Sequence, residues 1–259
     1  KDSLQFDNLV NKYNLNIRGV ISIGAHFGEE NEMFDKYNIK NKLFFEPVPH
    51  TFEILKQNIK DGILVNKALG NENRKITMNI ERINNGQSSS ILKSVKHSIQ
   101  YPWITFDEQI EVDMIRLDDY PKSNLYNFIM IDVQGYELEV LKGAEKTLEN
   151  IDYIISEINR DEVYENCAKI EQLDEYLSKF GFERLETDWG GDTWGDAFYM
   201  KKPKKLIFDI GSNIGKFTNV CEKNYNCKVV LVEANKDLYD ELNLKFGKKH
   251  HVLNLAIDN

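Results

Sequence analysis

The sequence is poor in cysteine and has no long apolar run. Its three cysteines, Cys167, Cys221 and Cys227, are odd in number and lack C-x-x-C spacing, which argues against a disulfide framework or a zinc site. No apolar segment approaches the roughly 18 residues that a membrane helix needs. The polar N-terminus also lacks the pattern of a signal peptide. We therefore expect a reduced, cytoplasmic protein with no bound metal and no membrane partner.

Positive charge is also in deficit. The chain carries 33 Lys and Arg against 42 Asp and Glu, a net charge of −9. This balance disfavours nucleic acid binding through overall charge, and we expect no nucleic acid partner. Hydrophobic residues make up 41% of the 259 residues and aromatic residues 11%, enough for a sizeable core, which excludes a disordered chain. The length fits one large domain or one and a half.

Short apolar runs alternate with amphipathic stretches at the start of the chain. The runs predict strands at 19–23, 42–46 and 63–65, and the stretches between them predict helices at 29–37 and 47–59. This βαβαβ order, with nearly continuous apolar strands, is typical of a parallel sheet covered by helices on both faces.

The middle of the chain adds a less regular region and then returns to the same alternation. Residues 84–90 are rich in turn-forming residues and predict a loop. The remaining strands are expected at 75–82, 110–117, 128–131 and 153–157, the helices at 136–150 and 170–180, and a terminal antiparallel hairpin at 182–187 and 197–200. The expected architecture is thus an α/β fold with a mostly parallel, seven-stranded sheet.

An internal repeat follows the charged, proline-broken segment 201–205. Gly24 and Glu46 both recur 187 positions later, as Gly211 and Glu233, in similar surroundings. Ala68 recurs as Ala256, after 188 positions. A nearly constant shift across three landmarks predicts a duplicated unit.

The repeat sets the expected domain organisation. We expect residues 1–201 to form one complete domain and residues 202–259 to form the first βαβαβ part of a second copy, which stops before an equivalent of Asp132. Such a part leaves a sheet edge and apolar surface uncovered. A homodimer formed through the partial repeat is therefore one expectation.

A glycine-bearing loop follows the first predicted strand. Gly24-Ala25-His26-Phe27-Gly28 joins this strand to a helix, where backbone amides can approach a ligand. Glu46 ends the next strand, and an acid there can accept hydrogen bonds from two ribose hydroxyls. Together they fit either NAD or S-adenosylmethionine. Without G-x-G-x-x-G or GK[ST], pyrophosphate and triphosphate ligands are weaker interpretations.

A second cluster begins with Asp132 at the carboxyl end of the strand at 128–131, where ligands bind in open α/β sheets. Asp132 can hold a substrate hydroxyl, hold the ammonium of an amino-acid-like cofactor, or act as a general base. Glu137 lies in the first turn of the next helix, and Glu157 ends the following strand. Each fits a ligand-binding and a purely structural role equally well. A divalent cation held by the three acids is a minor alternative.

These stretches together resemble the FkbM family of S-adenosylmethionine-dependent methyltransferases, over about residues 17–201. The most specific part is the run from Asp132 through Glu137 into Leu-Lys-Gly-Ala at 141–144. The other matching stretches lie at 23–28, 45–47, 66–69, 88–90 and 156–158. Two positions depart from the family's usual pattern, with Ser22 in place of Asp and Gln134 in place of Glu.

The resemblance implies a Rossmann-like class I methyltransferase fold, S-adenosylmethionine as cofactor, and O-methylation of a hydroxyl on a sugar or other small molecule. Asp132 would position the acceptor or remove its proton. The implied cofactor-binding residues are Gly24, Ala25, His26, Gly28, Glu46, Pro47, Lys67, Ala68, Ser89 and Asp132. The acceptor-binding residues are expected to be Glu137, Glu157 and Trp189.

Several of these assignments have an alternative. The loop 188–194, which contains Trp189, can cover a sugar-like acceptor or simply bury its tryptophans in a hairpin. His26 can act as a base, although a solvent-facing loop residue is the simpler interpretation. Ser22 and Gln134 also fit a methyltransferase fold that has lost turnover and only binds. An NAD-dependent oxidoreductase is a third hypothesis.

Overall fold

The computed structural model describes residues 4–81, 89–92, 108–121, 125–161, 164–202, 205–224 and 227–256. The chain divides into two compact units, Lys1–Lys201 and Lys202–Asn259. Most of the loop expected at 84–90 lies outside the described residues, and only its last two residues, 89 and 90, are described. None of the described helices combines the length and apolar character that crossing a membrane requires.

The first unit alternates helices and strands as its sequence predicts. Its helices are α1 (Phe6–Tyr13), α2 (Asn31–Lys36), α3 (Pro49–Asn58), α4 (Glu137–Lys142), α5 (Glu145–Leu148) and α6 (Ile170–Ser178). Its strands are β1 (Gly19–Ile23), β2 (Asn41–Phe45), β3 (Ile63–Val65), β4 (Ala68–Leu69), β5 (Arg74–Ile80), β6 (Glu108–Ile115), β7 (Phe128–Ile131), β8 (Tyr153–Asn159), β9 (Phe182–Asp188) and β10 (Trp194–Lys201).

Seven of these strands form the central sheet, in the order β3-β2-β1-β7-β8-β10-β9. The first five run parallel, and β10 and β9 add an antiparallel hairpin at one edge. The expectation of a mostly parallel α/β sheet is therefore confirmed. Strand order reverses at β1, which lies between β2 and β7, and a crevice forms outside the carboxyl ends of strands at such a point.

Successive side chains of each central strand pack on opposite faces of the sheet. Ile21 of β1 belongs to the larger core cluster, together with Val140 and Leu141 of α4. Val20 packs on the other face, in a cluster with Phe34 of α2. All five residues are fully buried. Burial of each such side chain contributes about 1.5–3 kcal/mol for the larger residues, which explains why β1 is apolar along its whole length.

A second, three-stranded sheet in the order β4-β6-β5 was not foreseen in the sequence. β5 and β6 pair antiparallel, and the alternation that predicted them as strands places Ile76, Met78 and Ile80 in the core. β4 consists only of Ala68 and Leu69, which pair with β6. A strand of two residues is too short to show an alternating pattern, so the sequence did not indicate this strand.

The prediction of one helix over 136–150 was wrong, because the structure has two short helices, α4 and α5, with Gly143 between them. A Cβ on Gly143 would lie 1.9 Å from the carbonyl oxygen of Gly70. The Gly143 carbonyl accepts a hydrogen bond from the amide of Asp118 rather than from a helical amide. The Asp118 carboxylate in turn accepts from the amide of Thr147 in α5 (2.9 Å). Contacts distant in sequence thus interrupt the helix.

The second unit is a three-stranded parallel sheet with two helices. Its elements are β11 (Lys205–Ile210), α7 (Lys216–Asn224), β12 (Cys227–Val232), α8 (Lys236–Phe246) and β13 (His251–Leu253). Cys221, Leu231 and Phe246 are among the residues of its small core. On β11, Phe208 is 60% exposed and Ile210 is 54% exposed, so one face of this sheet carries uncovered apolar side chains.

Candidate active site

The glycine-bearing loop lies at the carboxyl end of β1, in the crevice between β2 and β7. The amides of Gly24 and Ala25 both donate to the carbonyl of Phe45 (3.0 Å each). Gly24 has φ +78°, and a Cβ there would lie 1.8 Å from the carbonyl oxygen of Asp132. The loop therefore needs glycine at this position for its conformation and for its close approach to the strand-end residue of β7.

Glu46 ties this loop to the end of β2. One carboxylate oxygen accepts from the amide of His26 (3.0 Å), and the other accepts from the amide of Val48 (2.8 Å). Burial raises the pKa of Glu46 to about 7, although both backbone hydrogen bonds oppose that shift. The side-chain amide of Asn66 donates to the carbonyls of Glu46 (2.8 Å) and Pro47 (3.0 Å). The expected ribose-binding acid is thus held rigidly in the crevice.

The side chain of His26 faces its own loop. Its ring Nδ1 lies 2.8 Å from Glu29 Oε1, and its backbone has φ +47°. The ring also stacks on Phe27, with centroids 3.7 Å apart. These contacts hold the imidazole, whose side chain is 16% exposed, against its own loop rather than facing the solvent.

Lys67 and Ala68 follow β3 at the same edge of the sheet. Lys67 Nζ forms an ion pair with Asp113 of β6 (3.3 Å). Ala68 is buried in β4, paired with Met114. Of the two, the half-buried Lys67 has the more accessible side chain, and the Ala68 methyl group belongs to the core.

Asp132, Glu137 and Glu157 come together beside the loop, as the sequence predicted for residues at one sheet edge. Each offers a carboxylate oxygen within 4.8 Å of the others. The side-chain amide of Gln134 bridges two of them, because its Nε2 donates to Asp132 Oδ1 (2.6 Å) and Glu157 Oε2 (3.0 Å). The oxygen spacing would also suit one divalent cation, and the Gln134 amide occupies the bridging position between Asp132 and Glu157.

The three acids differ in their surroundings. Asp132 is exposed, whereas Glu137 and Glu157 are buried. Glu137 Oε1 accepts from the amides of Val133 and Gly135 (3.1 Å each) and so fixes the loop after β7. Burial, with the Asp132 charge added, raises the pKa of Glu137 to about 7. Burial and the charges of Asp132 and Glu137 hold the pKa of Glu157 well above its usual range, which favours its protonated form.

The serines at 89 and 90 have different hydrogen-bond partners. Ser89 Oγ accepts from the amide of Glu81 (3.1 Å). Ser90 Oγ instead donates to the carbonyl of Gln134 (2.8 Å). Within the described residues, Ser90 is therefore the serine that joins this segment to the loop after β7.

Two further residues of the site were missed in the sequence. Glu30 lies two residues after Gly28, and its buried Oε2 has no hydrogen-bond partner in the described part of the chain. Burial raises its pKa to about 7, and the charges of Glu29 and Asp132 add to the shift. Tyr164 donates its hydroxyl to Gln134 Oε1 (2.6 Å). Glu30 had a sequence cue in its position at a helix start, whereas Tyr164 had none.

Trp189 lies in the loop between β9 and β10 and packs partly against the core. The guanidinium carbon of Arg160 lies 3.6 Å from the centroid of its ring. Arg160 directly follows β8, and its amide donates to the carbonyl of Thr193 (2.9 Å). The structure thus places a stacked cation and aromatic ring three residues beyond Glu157.

Comparison with known proteins agrees with this geometry. Residues 22–184 match the model of the methyltransferase FkbM domain. The chain is 28% identical to the 2-O-methyltransferase NoeI of Sinorhizobium fredii over 176 residues, which cover 62% of this chain and 71% of NoeI. It is 29% identical to the hexuronic acid methyltransferase AglP of Haloferax volcanii over 121 residues, which cover 46% of this chain and 47% of AglP.

Among solved structures, a putative S-adenosylmethionine-dependent methyltransferase from Listeria monocytogenes aligns with 10% identity and a TM-score of 0.46, over 76% of this chain and 98% of that one. The family match covers more than half of the 259 residues and includes both the glycine loop and the Asp132 cluster. The chain therefore belongs to the FkbM methyltransferase family and is an S-adenosylmethionine-dependent methyltransferase.

Proposed function

We propose that the first unit transfers a methyl group to a hydroxyl of a carbohydrate or a similar small molecule. The observation that carries this proposal is the contact between the glycine loop and Asp132. The Asp132 amide donates to the carbonyl of Ile23 (3.0 Å), and its own carbonyl leaves no room for a side chain on Gly24. A carboxylate is thereby held beside the loop that we assign to the methyl donor. The names of NoeI and AglP support this class of reaction.

The residues around the loop fit S-adenosylmethionine, which carries a positive sulfonium and a positive ammonium. Glu46 and Glu30 are acids whose pKa values burial raises to about 7, and a cationic ligand would favour their ionised forms. We assign the ribose hydroxyls to Glu46 and the amino-acid end to the amides of Gly24–Gly28 and to Asp132. The other cofactor contacts proposed from the sequence, which stay proposals, are Pro47, Lys67, Ala68 and Ser89.

Asp132 carries the proposed proton transfer. When bound, S-adenosylmethionine supplies a methyl group made electrophilic by the sulfonium. Asp132 holds the acceptor hydroxyl and takes its proton while that oxygen bonds to the methyl carbon and the bond from carbon to sulfur breaks. The raised pKa of Glu157 favours its protonated form, so we assign Asp132 as the accepting carboxylate.

We assign the acceptor to the edge of the sheet beyond Glu157. Trp189 offers an aromatic ring there, and Arg160 offers a guanidinium that stacks on this ring. A guanidinium binds a carboxylate through two parallel hydrogen bonds, so this pair suits an acidic sugar ring. Glu137, by contrast, already accepts two backbone amides, which leaves it less free for an acceptor than Glu157.

The proposal is tested by replacing Asp132 with Asn. Loss of a general base lowers turnover by about 10²- to 10⁴-fold. The affinity for S-adenosylmethionine, measured by calorimetry, should fall less, by about tenfold, because one charged contact to the cofactor ammonium is weakened. Asp119→Asn is the matched control, because the Asp119 side chain bonds only to Asn73 in the described structure. Methyl release to a panel of methyl glycosides and uronic acids gives the rate. Unchanged turnover in Asp132→Asn would remove Asp132 from the mechanism.

We also propose that residues 202–259 are the first part of a second methyltransferase-like copy. The amides of Gly211 and Ser212 donate to the carbonyl of Val232 (2.9 and 3.1 Å). This repeats the bonds from the first loop to Phe45. Gly211 also has φ +71°, close to the +78° of Gly24.

The acid of the second unit repeats the role of Glu46. Glu233 accepts from the amides of Asn213 (2.8 Å) and Asn235 (2.9 Å). Asp209, which stands where the first unit has Ser22, accepts from the hydroxyl of Thr218 (2.6 Å). These equivalent contacts support a shared origin for the two units.

The uncovered face of β11 supports the proposed homodimer. Leu206 and Phe208 are both 60% exposed, whereas the matching face of β1 is buried by helices of the first unit. A second copy of the chain packed here would cover this surface. Sedimentation of the full chain tests the idea, since Phe208→Asp should remove a concentration-dependent dimer. A monomer at all concentrations would contradict it.

A further inference from the structure

We propose that Gln134 is a positioning residue for methyl transfer, which holds the Asp132 carboxylate in place and joins it to Glu157. This inference rests on the proposed function, because it takes Asp132 as the group that receives the acceptor proton. Gln134 itself need not contact the substrate. Its effect would be exerted through the two acids that its side chain bridges.

All hydrogen-bonding groups of the Gln134 side chain are used. A side-chain amide has two N–H donors on one nitrogen, and Nε2 reaches Asp132 Oδ1 at 2.6 Å and Glu157 Oε2 at 3.0 Å. Its Oε1 accepts from the hydroxyl of Tyr164 at 2.6 Å. The amide therefore connects three side chains from separate parts of the fold.

The Asp132 carboxylate and the Tyr164 hydroxyl together suit the amide orientation. Tyr164 is buried, with 1% of its surface exposed, and it packs with Cys167 in a small cluster. Burial holds the pKa of its hydroxyl well above the usual range, so it remains a proton donor. If the Gln134 amide were turned over, Oε1 would face the ionised Asp132 carboxylate, which can only accept, and that hydrogen bond would be lost. In the orientation of the structure, the amide donates to Asp132 and accepts from Tyr164.

The backbone also holds Gln134 in a costly conformation. Its φ is +55°, in the left-handed region that non-glycine residues avoid. Ser90 Oγ donates to its carbonyl, and Glu137 fixes the amides of the residues on either side. Glycine would adopt this conformation more easily. Surrounding contacts that maintain a strained residue are a feature of functional sites.

A neutral amide suits this position electrostatically. The groups that face the Asp132 and Glu157 pair are Glu137 from α4, Asp196 from β10, Glu30 from the segment before α2, and the neutral Tyr164. The family's usual Glu at this position would add negative charge between two carboxyl groups and remove both donors, so this chain departs from the family pattern in holding Asp132 with an amide. The amide instead stabilises negative charge on Asp132, which must be ionised to accept a proton.

The test compares Gln134→Ala and Gln134→Glu with Gln109→Ala, because the Gln109 side chain bonds only to Asn79 within the described residues. Turnover should fall about tenfold or more in Gln134→Ala, with the affinity for S-adenosylhomocysteine within about twofold by calorimetry in both Gln134 variants. In Gln134→Glu, the acidic limb of the pH profile of kcat/KM should also move to higher pH, because the added charge favours protonation. Gln109→Ala should match the wild type in each measurement.

A second readout needs no acceptor. In the full chain with S-adenosylhomocysteine bound, carbon-13 NMR of labelled glutamate carboxyls follows the titration of Glu157. The Glu157 signal is assigned as the one that disappears in Glu157→Gln. The midpoint should rise in Gln134→Glu. If Gln134→Glu does not fold, Tyr164→Phe replaces it in this test. This variant keeps the buried ring and should shift the Glu157 midpoint in the same direction. An unchanged midpoint together with unchanged turnover would overturn the inference. A wild-type chain that binds no S-adenosylmethionine would instead overturn the proposed function.

Discussion

Replacing Gly24 with Ala should damage the first unit far more than the same change at Gly211 damages the second. Both glycines end the first strand of their unit with positive φ, at +78° and +71°. At Gly24, however, the added Cβ would lie 1.8 Å from the Asp132 carbonyl oxygen, whereas at Gly211 it would meet nothing within 4 Å. Comparing the two variants therefore separates the free-energy cost of the left-handed backbone conformation from that of the steric clash.

The magnitudes follow from these two geometries. A left-handed conformation costs a non-glycine residue about 1–2 kcal/mol, and both variants bear this cost. Contact at 1.8 Å with backbone forces β1 and β7 apart, and overpacking of this kind adds about 1–3 kcal/mol. We therefore expect a loss of about 2–5 kcal/mol for Gly24→Ala and about 1–2 kcal/mol for Gly211→Ala.

Each unit can be measured separately in the full chain. All three tryptophans lie within residues 1–201, so tryptophan fluorescence during urea unfolding reports the first unit. Hydrogen exchange of amides at 205–256 reports the second. Gly24→Ala should also abolish S-adenosylmethionine binding, because the displaced strands carry the loop. Equal losses in the two variants, or a Gly24→Ala protein with wild-type stability and affinity, would refute the reasoning.

Three further predictions concern charge. Because burial raises the pKa of Glu46 from 4.5 to about 7, its contribution to stability is complete below pH 4.5 and is lost as the pH rises to about 7. Urea unfolding of the cofactor-free protein should show the free energy of unfolding falling by up to about 3 kcal/mol over this pH range, a fall that Glu46→Ala should lack. Lys42 is buried between Asp35 and Asp61 (2.6 and 2.7 Å), so changing both acids to Asn should cost roughly 3 kcal/mol, more than Lys42→Met, in the same assay. Arg160→Gln should raise KM for uronic acids about tenfold without affecting neutral acceptors, and equal effects on both would contradict the assignment.

The central strands β1, β2, β7 and β8 were predictable because they are buried on both faces. A short, fully apolar run such as 128–131 predicts a buried strand. The glycine that follows β1 and the acid that follows β2 indicate the edge of the sheet at which a ligand binds. The similarity between the loops at Gly24 and Gly211 was equally visible, and the duplicated unit stays a proposal. These features depend on local pattern alone.

Other features depend on contacts between distant residues. Gly143 interrupts a helical pattern because it approaches Gly70 and bonds to Asp118, and neither contact can be read from spacing. Ser90 rather than Ser89 reaches Gln134 because of how β5 pairs with its neighbours. The role of Gln134 was not visible either, since it follows from the amide's three partners rather than from its place in a motif.

The most direct test of the whole account is calorimetric titration of the full chain with S-adenosylmethionine and S-adenosylhomocysteine, for the wild type, Glu46→Ala and Glu233→Ala. The two acids hold equivalent loops in the two units, which makes the second variant a matched control. The account predicts that the wild type and Glu233→Ala bind both ligands and that Glu46→Ala loses about tenfold or more in affinity. Binding of neither ligand by the folded wild type, or equal affinity in Glu46→Ala, would contradict it.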